Sequence, residues 1–257
     1  MEVMRASITL VFHGNLKDLL ARRISGERVV HHLLTRRASV KDVVESFGVP
    51  HPEIMRLLVN GQDENFSYIV SDHDHIELWP LTPPVDVLTA TFLRPEPLEK
   101  FVFVVDVNVG KLAHLLRMAG FDTLYGTDFT DDDLAHVAAH ENRILLTRDG
   151  SLLKRKCVVF GHLIREIYPW KQLQEVVSLY HLADNLKPFS RCLCCNTELI
   201  PVEKEKILDR LEPLTKKYYR VFHLCVMCDK IYWQGSHRQI MQEKIENLVR
   251  RCRQVPR

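Results

Sequence analysis

The clearest indication of the fold comes from residues 101–149, FVFVVDVNVGKLAHLLRMAGFDTLYGTDFTDDDLAHVAAHENRILLTRD. It begins with the continuous apolar run 101–105, and a second such run, 143–147, lies near its end. Residues 109–120 have apolar side chains at helical spacing, and 131–142 has the pattern of a second helix. Apolar strands that alternate with short helices predict parallel strands joined by helical crossovers. We therefore expect an α/β domain with helices on both faces of a parallel sheet.

Three further elements complete this predicted domain. DTLYG at 122–126 is a short strand, and CVVF at 157–160 has the apolar character of a fourth strand. Cys157 would then be a core residue. WKQLQEVVSLYHLADN at 170–185 predicts another helix.

Acidic side chains follow several of these elements at one edge of the sheet. Asp106 ends the first strand, Asp149 follows the second apolar run, and three aspartates at 131–133 begin a helix. Open parallel sheets bind ligands beyond the carboxyl ends of their strands. Clustered carboxylates suit Mg²⁺ or Mn²⁺, which can assist phosphodiester cleavage. In the alternative each aspartate is structural, since Thr130 and Asp133 have the spacing of a capping box.

The region before this domain predicts a small α+β module over residues 1–82. Strands are expected at 6–13, 28–34, 56–60 and 75–80, and a helix begins after the N-cap Ser39. This order resembles the ubiquitin-like β-grasp fold of small sulfur carriers. Those carriers act through a free C-terminal Gly-Gly, whereas this chain continues past the last strand. We therefore expect a packing or interaction module and not a carrier.

A proline-rich segment separates the two modules. Proline breaks both helices and sheet ladders, so this segment, 83–99, is predicted to be a linker. The prolines in and beside it are Pro80, Pro83, Pro84, Pro95 and Pro97.

Seven cysteines are present, and five of them fall within 192–228. Cys192 and Cys195 form one C-x₂-C pair, and Cys225 and Cys228 form a second. Two such pairs place four thiolates around a tetrahedral Zn²⁺, which predicts a structural zinc ribbon over 187–257.

Other residues near the cysteine pairs leave alternatives open. Cys194 could replace a neighbouring cysteine as ligand, although its spacing suits a tetrahedral ion less well. His223 and His237 flank the second pair, where surface or packing roles are more typical than ligation. Cys252 is expected to be a surface thiol.

The charge of the chain is distributed unevenly. Net charge is +2, but residues 1–99 carry −4, 100–185 carry −1 and 186–257 carry +7. A basic module with interleaved aromatic residues favours binding to RNA, and a solvated lysine-rich surface is the alternative. The cations selected for RNA binding in this module are Lys216, Lys217, Arg220 and Arg238. The C-terminal helix could pack on the protein, bind RNA, or do both.

The central stretch resembles the PIN-like nucleases of the Mut-seven C-terminal RNase domain family. The shared motifs are Asp106, VGKLA at 109–113, Leu116-Arg117, Gly120-Phe121-Asp122, Asp131 and LTRD at 146–149. This chain departs from the family in having Val-Asn after Asp106 and Lys at 111 in place of Arg. A β-grasp domain often precedes the family's nuclease domain and a zinc ribbon follows it, so the resemblance covers nearly the whole chain.

The resemblance implies a metal-dependent RNase with a PIN-like sheet over 100–186. It implies Asp106, Asp131 and Asp149 as Mg²⁺ or Mn²⁺ ligands, with Asp128 as a further acid. It also implies orienting roles for Asn108 and Thr147, and contacts from Lys111 and Arg148 to the RNA backbone.

The sequence thus favours a metal-dependent ribonuclease that acts on RNA, with tRNA or the ribosome as candidate partners. The alternative is a non-catalytic RNA-binding or ribosome-associated module, because PIN folds also serve as RNA-binding platforms. No apolar run approaches the ~20 residues of a membrane helix, so we expect a cytoplasmic protein with no membrane partner.

Overall fold

The computed structural model describes residues 6–21 and 26–253. Its first module is a mixed five-stranded sheet in the order β2-β1-β5-β3-β4, crossed by one helix. The elements are β1 (Ala6–Phe12), β2 (Val29–Leu34), α1 (Val40–Ser46), β3 (Ile54–Val59), β4 (Gln62–Asp63) and β5 (His75–Pro80). β1 and β5 are parallel, and the other pairs are antiparallel. The β-grasp prediction is confirmed.

Local sequence signals define the helix of this module. The Ser39 side chain accepts a hydrogen bond from the backbone N–H of Asp42, which caps the start of α1. Gly48 follows the helix at φ +107°, a left-handed conformation that glycine adopts without strain. Val40, Val43 and Val44 are buried against the sheet and form the packing face of α1.

The second module is a four-stranded, all-parallel sheet in the order β7-β6-β8-β9. Its elements are β6 (Val102–Val105), α2 (Gly110–Ala119), β7 (Asp122–Leu124), α3 (Asp131–His140), β8 (Ile144–Thr147), α4 (Gly150–Leu153), β9 (Gly161–Leu163) and α5 (Pro169–Leu179). Phe103 and Val105 pack with α2 and α5, whereas Val104 and Leu145 pack with α3 and α4. Helices therefore cover both faces, as predicted.

The predicted strand at 157–160 is wrong. The strand that pairs with β8 is β9, which begins at Gly161. Position 161 has room only for glycine, since a side chain there would collide with Leu153 and crowd the Leu145 carbonyl. Val158 fills the core between α3 and α4, so its hydrophobicity serves packing and not the ladder. Cys157 is exposed and not in the core, which corrects its predicted role.

The helix predicted over 170–185 is shorter than expected. α5 ends at Leu179, and His181 takes a left-handed conformation, φ +51°, before a 3-10 turn over Leu182–Asp184. Leu182 is fully buried, so the turn keeps its apolar side chains in the same core.

The proline-rich segment 83–99 contains no helix or strand, yet it is packed. Val85 and Val87 are buried in the core of the parallel-sheet module, and the Val85 N–H donates to the Leu179 carbonyl. Arg94 donates to the carbonyls of Pro52 at 2.8 Å and Ile54 at 3.1 Å. This segment therefore fastens the β-grasp module to the parallel-sheet module.

The third module is a small antiparallel sheet in the order β10-β11-β12, followed by a long helix. Its elements are β10 (Ile200–Val202), α6 (Pro213–Tyr218), β11 (Phe222–Leu224), β12 (Ile231–Trp233) and α7 (Ser236–Arg253). α7 returns to the second module, where Leu248 and Cys252 join its core. Cys252 is thus buried and not a surface thiol, because α7 packs along α5. None of the described helices is both long enough and apolar enough to span a membrane.

Candidate functional site

The strand order defines a crevice at the carboxyl edge of the parallel sheet. From β6 the chain runs to β7 on one side and then crosses to β8 on the other. Ligands of open α/β sheets bind where the strand order reverses in this way. Asp106 directly follows β6, and Asp149 lies two residues beyond β8. The two aspartates therefore flank the crevice, as the sequence predicts.

Asp106 is the most firmly held acid of this edge. Its side chain is almost wholly buried, and its Oδ2 accepts hydrogen bonds from Thr147 Oγ1 at 2.6 Å and Asn108 Nδ2 at 2.5 Å. Both bonds end on Oδ2, while Oδ1 accepts none from any described residue. The carboxylate is thus fixed in orientation and retains one oxygen for a further ligand.

Thr147 and Asn108 join the loop after β6 to the loop after β8. Thr147 Oγ1 accepts a hydrogen bond from the Asp149 N–H at 2.8 Å, and Asn108 Oδ1 accepts one from the Arg148 N–H at 3.1 Å. Asp149 in turn caps α4, since its Oδ1 accepts from the Ser151 N–H at 2.7 Å. The two predicted orienting residues therefore link both acids into one hydrogen-bonded unit.

The aspartates at 131–133 have three different environments. Asp133 completes a capping box with Thr130, which confirms the structural alternative for that residue. Asp132 forms an ion pair with Arg155. Asp131 is exposed and has no ion pair or hydrogen bond to the described residues through its side chain. Of this run, Asp131 is the carboxylate left for a ligand.

The predicted acids do not form a closed cage. Asp128 is exposed in the loop after β7, and Asp131 follows three residues later at the start of α3. Among the described residues, no group of three acidic side chains has its oxygens all within 4.8 Å of one another. We call this region the acidic edge: Asp106 and Asp149 lie in loops that hydrogen bonds join, and Asp128 and Asp131 lie in the segment after β7, the strand next to β6.

Two predicted cations lie beside this edge. Arg148 is exposed, and its Nη1 donates to the Glu166 carbonyl at 3.1 Å. Lys111 is exposed in the first turn of α2. Tyr125, which follows β7, packs directly on Gly110, where any side chain would collide with its ring. This contact holds the loop after β7 against the start of α2, close to Asp106.

A buried ionic network connects the β-grasp module to the same edge. Glu53 is 2% exposed and accepts hydrogen bonds from His162 Nδ1 at 2.9 Å and the Leu163 N–H at 2.8 Å. His162 Nε2 donates to Glu175 at 3.0 Å. Burial lowers the pKa of His162, but Glu53 and Glu175 outweigh it and raise the pKa to about 9. His162 is therefore protonated at neutral pH and donates from both nitrogens.

This network continues to the loop after β9, in which the Glu166 carbonyl accepts a hydrogen bond from the Arg148 side chain. Glu175 accepts hydrogen bonds from the backbone N–H groups of Arg165 and Glu166, both at 3.1 Å. Sequence reasoning missed these residues because no local motif marks them, and the partners Glu53 and His162 are 109 positions apart. The β-grasp module thus supports the loop beside the acidic edge.

The four cysteines selected from the sequence converge on one point. All four Sγ atoms lie within 4.8 Å of one another, with Cys192–Cys228 at 3.4 Å, Cys195–Cys225 at 3.3 Å and Cys195–Cys228 at 3.7 Å. Four Zn–S bonds of ~2.3 Å would give sulfur separations of about 3.8 Å in a tetrahedron. The donor set and its geometry therefore fit a tetrahedral, thiolate-bound metal ion.

Both cysteine pairs use the same backbone turn. The Cys192 N–H donates to the Thr197 carbonyl, and the Cys225 N–H donates to the Lys230 carbonyl five residues ahead in the same way. The residue after each pair, Asn196 or Asp229, has a positive φ, a conformation that Asn and Asp tolerate well.

Cys192 is set apart from Cys194 by its surroundings. Burial raises the pKa of Cys192, but hydrogen bonds from the Tyr232 hydroxyl and the nearby backbone outweigh it and bring the pKa to about 6. A thiolate is the metal-binding form of cysteine. Cys194 is outside the four-thiol group and is exposed, with its Sγ 2.7 Å from Lys230 Nζ. The structure therefore gives no support for Cys194 as a replacement ligand.

Arg117 fastens the first cysteine turn to the parallel-sheet module. This guanidinium is 2% exposed and donates to the carbonyls of Thr123 at 2.9 Å, Leu193 at 3.1 Å and Cys194 at 2.8 Å. The Thr123 N–H also donates a hydrogen bond to Asn196 Oδ1 at 3.0 Å. The sequence marked Arg117 only as part of a family motif, and the structure gives it this anchoring role.

Of the four cations predicted to bind RNA in the third module, three lie in or just after α6 and the fourth lies in α7. Lys217 and Arg220 are exposed near α6, and Lys216 is half-buried. Arg238 lies over the Phe189 ring at 4.6 Å. The side chain of His237 is outside the described part of the chain, so its predicted role is not addressed.

Comparisons with known proteins agree with this architecture. The family described as Mut7-C RNAse domain matches residues 101–245, and the family described as Mut7-C ubiquitin matches residues 5–86. No curated protein and no solved structure gave a significant match. Because the first match covers more than half of the chain, this protein belongs to the Mut7-C RNase domain family and carries a Mut7-C ubiquitin domain before the RNase domain.

Proposed function

We propose that this protein is a metal-dependent ribonuclease that hydrolyses RNA phosphodiester bonds at the carboxyl edge of the parallel sheet. One observation carries the proposal: Asp106, Asn108, Thr147 and Asp149 form a single hydrogen-bonded unit at the point where the strand order reverses. In a domain of an RNase family, this is the position where a substrate would bind.

Asp106, Asp149 and Asp131 would hold Mg²⁺ or Mn²⁺, with Asp128 as a further acid. Oxygen donors at an open, water-accessible edge suit these hard cations, which retain several waters. When bound, such an ion lowers the pKa of a water and neutralises charge on the scissile phosphate.

The surrounding residues have supporting roles. Thr147 and Asn108 keep Asp106 in one orientation through the bonds to its Oδ2. Arg148 follows β8 and Lys111 lies in the first turn of α2, and their exposed charges would attract the phosphates of the RNA backbone.

The four-cysteine cluster would hold a structural Zn²⁺, because four thiolates leave no open coordination position for chemistry. The basic module built around it would bind RNA through Lys216, Lys217, Arg220 and Arg238. Structured RNA such as tRNA or ribosomal RNA in the cytoplasm is the substrate that we propose.

An RNA cleavage assay with Mn²⁺ or Mg²⁺ tests the proposal. Asp106→Asn should lower the cleavage rate by at least about 100-fold, since it removes a ligand charge at the centre of the site. Asp131→Asn should also lower the rate strongly, whereas its neighbour Asp132→Asn should leave it nearly unchanged, because Asp132 pairs with Arg155.

Two results would contradict parts of this proposal. Equal losses in Asp131→Asn and Asp132→Asn would remove Asp131 from the ligand set. RNA binding without cleavage under any divalent metal would instead identify a non-catalytic RNA-binding module.

A further inference from the structure

A second concave site lies between α2, the antiparallel sheet and the start of α7. It is a cavity of about 520 Å³, within the ~300–1,000 Å³ range of small-molecule sites. Its walls are mostly apolar and include Phe189, Tyr232 and Trp233, and the Trp233 side chain remains 39% exposed. No residue placed in the acidic edge lines this cavity.

The charged groups of the cavity are all cationic or imidazole groups. Arg191, Arg238, His114 and His223 line it, and no Asp or Glu is among the lining residues that the structure describes. Arg191 is paired with Glu198 at 3.1 Å, whereas Arg238 has no ion pair with any described residue. The site therefore combines aromatic surfaces with an uncompensated positive charge.

We propose that this cavity binds an unpaired base of an RNA strand, with its phosphate near Arg238. Aromatic faces and guanidinium groups stack on bases of single-stranded RNA, and a neighbouring cation attracts the backbone. The Arg238 guanidinium carbon lies 4.6 Å from the Phe189 ring centroid, so a cation and an aromatic ring stand side by side in the wall of the cavity. An apolar peptide would leave the charge of Arg238 without a partner.

The cavity is connected to the acidic edge along α2. His114 lines the cavity, and Leu115 and Met118 lie on the same helix face as Lys111, at spacings of four and seven residues. The His114 ring contacts Tyr125 at 5.9 Å between centroids, and Tyr125 packs on Gly110 beside the edge. From Gly110 to His114 the helix rises only about 6 Å. One RNA strand can therefore occupy both places.

This inference rests on the proposed action on RNA, so binding and cleavage are measured separately. The probe is a short single-stranded RNA that carries 2-aminopurine, whose fluorescence is quenched when the base stacks on an aromatic ring. Binding is measured with the full chain carrying Asp106→Asn, so that cleavage does not interfere. Metal content is measured for every variant to show that the ribbon remains folded.

We expect the probe to be quenched on binding. Trp233→Leu and Arg238→Gln should each weaken binding by about tenfold and reduce the quenching, in line with the contribution of one stacked base. The matched controls Phe92→Leu and Arg36→Gln remove an exposed aromatic ring and an exposed cation outside both the cavity and the C-terminal module, and they should bind as the parent does.

The outcomes separate the two proposals. Parent-like binding and quenching in both cavity variants would overturn the base pocket, whether or not the wild type cleaves RNA. Loss of quenching in the cavity variants supports the pocket even if the wild type shows no cleavage, in which case only the nuclease proposal fails.

Discussion

The four-cysteine cluster and the acidic edge are the two places for which we propose a metal ion, yet they are built in opposite ways. The thiols gather within 4.8 Å of one another, and each pair is set by the hydrogen bonds of its own tight turn. At the acidic edge Asp106 is held by two side-chain hydrogen bonds and Asp149 by the Ser151 N–H, while Asp128 and Asp131 are exposed on a separate segment. The first arrangement is closed and the second is open.

The closed and the open arrangement suit different roles. A closed tetrahedral site stabilises a fold because its ligands saturate the ion. An open edge must admit water and a substrate. Some of its carboxylates must therefore be held in place while others stay accessible to the metal ion, the water and the substrate. The neighbouring modules match these needs: Arg117 anchors the thiol site, and the Glu53–His162–Glu175 network supports the loop beside the acidic edge.

The largest expected effect is the loss of one thiol ligand. Cys192→Ser should abolish stable metal binding and unfold the module over 187–257, because structural zinc contributes about 10–16 kcal/mol in small domains. Metal content and limited proteolysis measure this change. Cys194→Ser is the matched control and should keep the metal; if it also loses the metal, the assignment of ligands is wrong.

Removal of the anchor of the thiol site should have the next largest effect. Arg117→Met leaves three backbone carbonyls without their buried donor, and the free energy of unfolding should fall by about 2–4 kcal/mol. Thermal and chemical unfolding measure this loss. Arg155→Met removes only an exposed ion pair and should cost less than about 1 kcal/mol. Similar losses in both variants would contradict the anchoring role.

A substitution at the acidic edge should change the cleavage rate more than the free energy of unfolding. Thr147→Val removes the hydroxyl that orients Asp106 and accepts from the Asp149 N–H, so cleavage should slow by about tenfold, or 1.4 kcal/mol in the barrier. Thr123→Val is the control, because Thr123 is an equally buried threonine on β7 that does not touch the acids. Equal cleavage rates in the two variants would show that Thr147 is only structural.

The smallest expected effect is a pH dependence at the β-grasp contact. The pKa of His162 is raised to about 9, so its stabilising contribution is complete below the unfolded value of 6.5 and is lost as pH rises through 9. Glu175 has a lowered pKa, because hydrogen bonds and the charge of His162 outweigh burial, so its contribution is lost only in acid. The unfolding temperature should therefore fall as the pH rises from 6.5 to 9.

His162→Gln should remove this decline, since glutamine does not titrate. The exposed His73→Gln should keep it, because the His73 side chain is 85% exposed and lies outside the interface. A decline of the same size in His162→Gln would assign the pH dependence to another group.

Features with a local signal were predicted well from the sequence. The C-x₂-C pairs, the Ser39 cap and the buried runs of β6 and β8 depend on residues close together in the chain, so spacing alone reveals them. The strand at 157–160 was wrong because hydrophobicity reports burial and not pairing. Val158 is buried in the core, but the strand that pairs with β8 begins only at Gly161. Cys252 was misjudged because its burial depends on α5, which lies far away in the sequence.

Short-range patterns of polarity and spacing were enough to predict the three modules, the four cysteines that converge and the acids at the ends of the strands. How the modules support one another became visible only once distant segments were seen packed together. The proline-rich segment became a packed connection, Arg117 became an anchor, and Glu53 met His162 across 109 positions. Such contacts depend on which surfaces are buried together, and burial between distant segments leaves no periodic trace along a single chain.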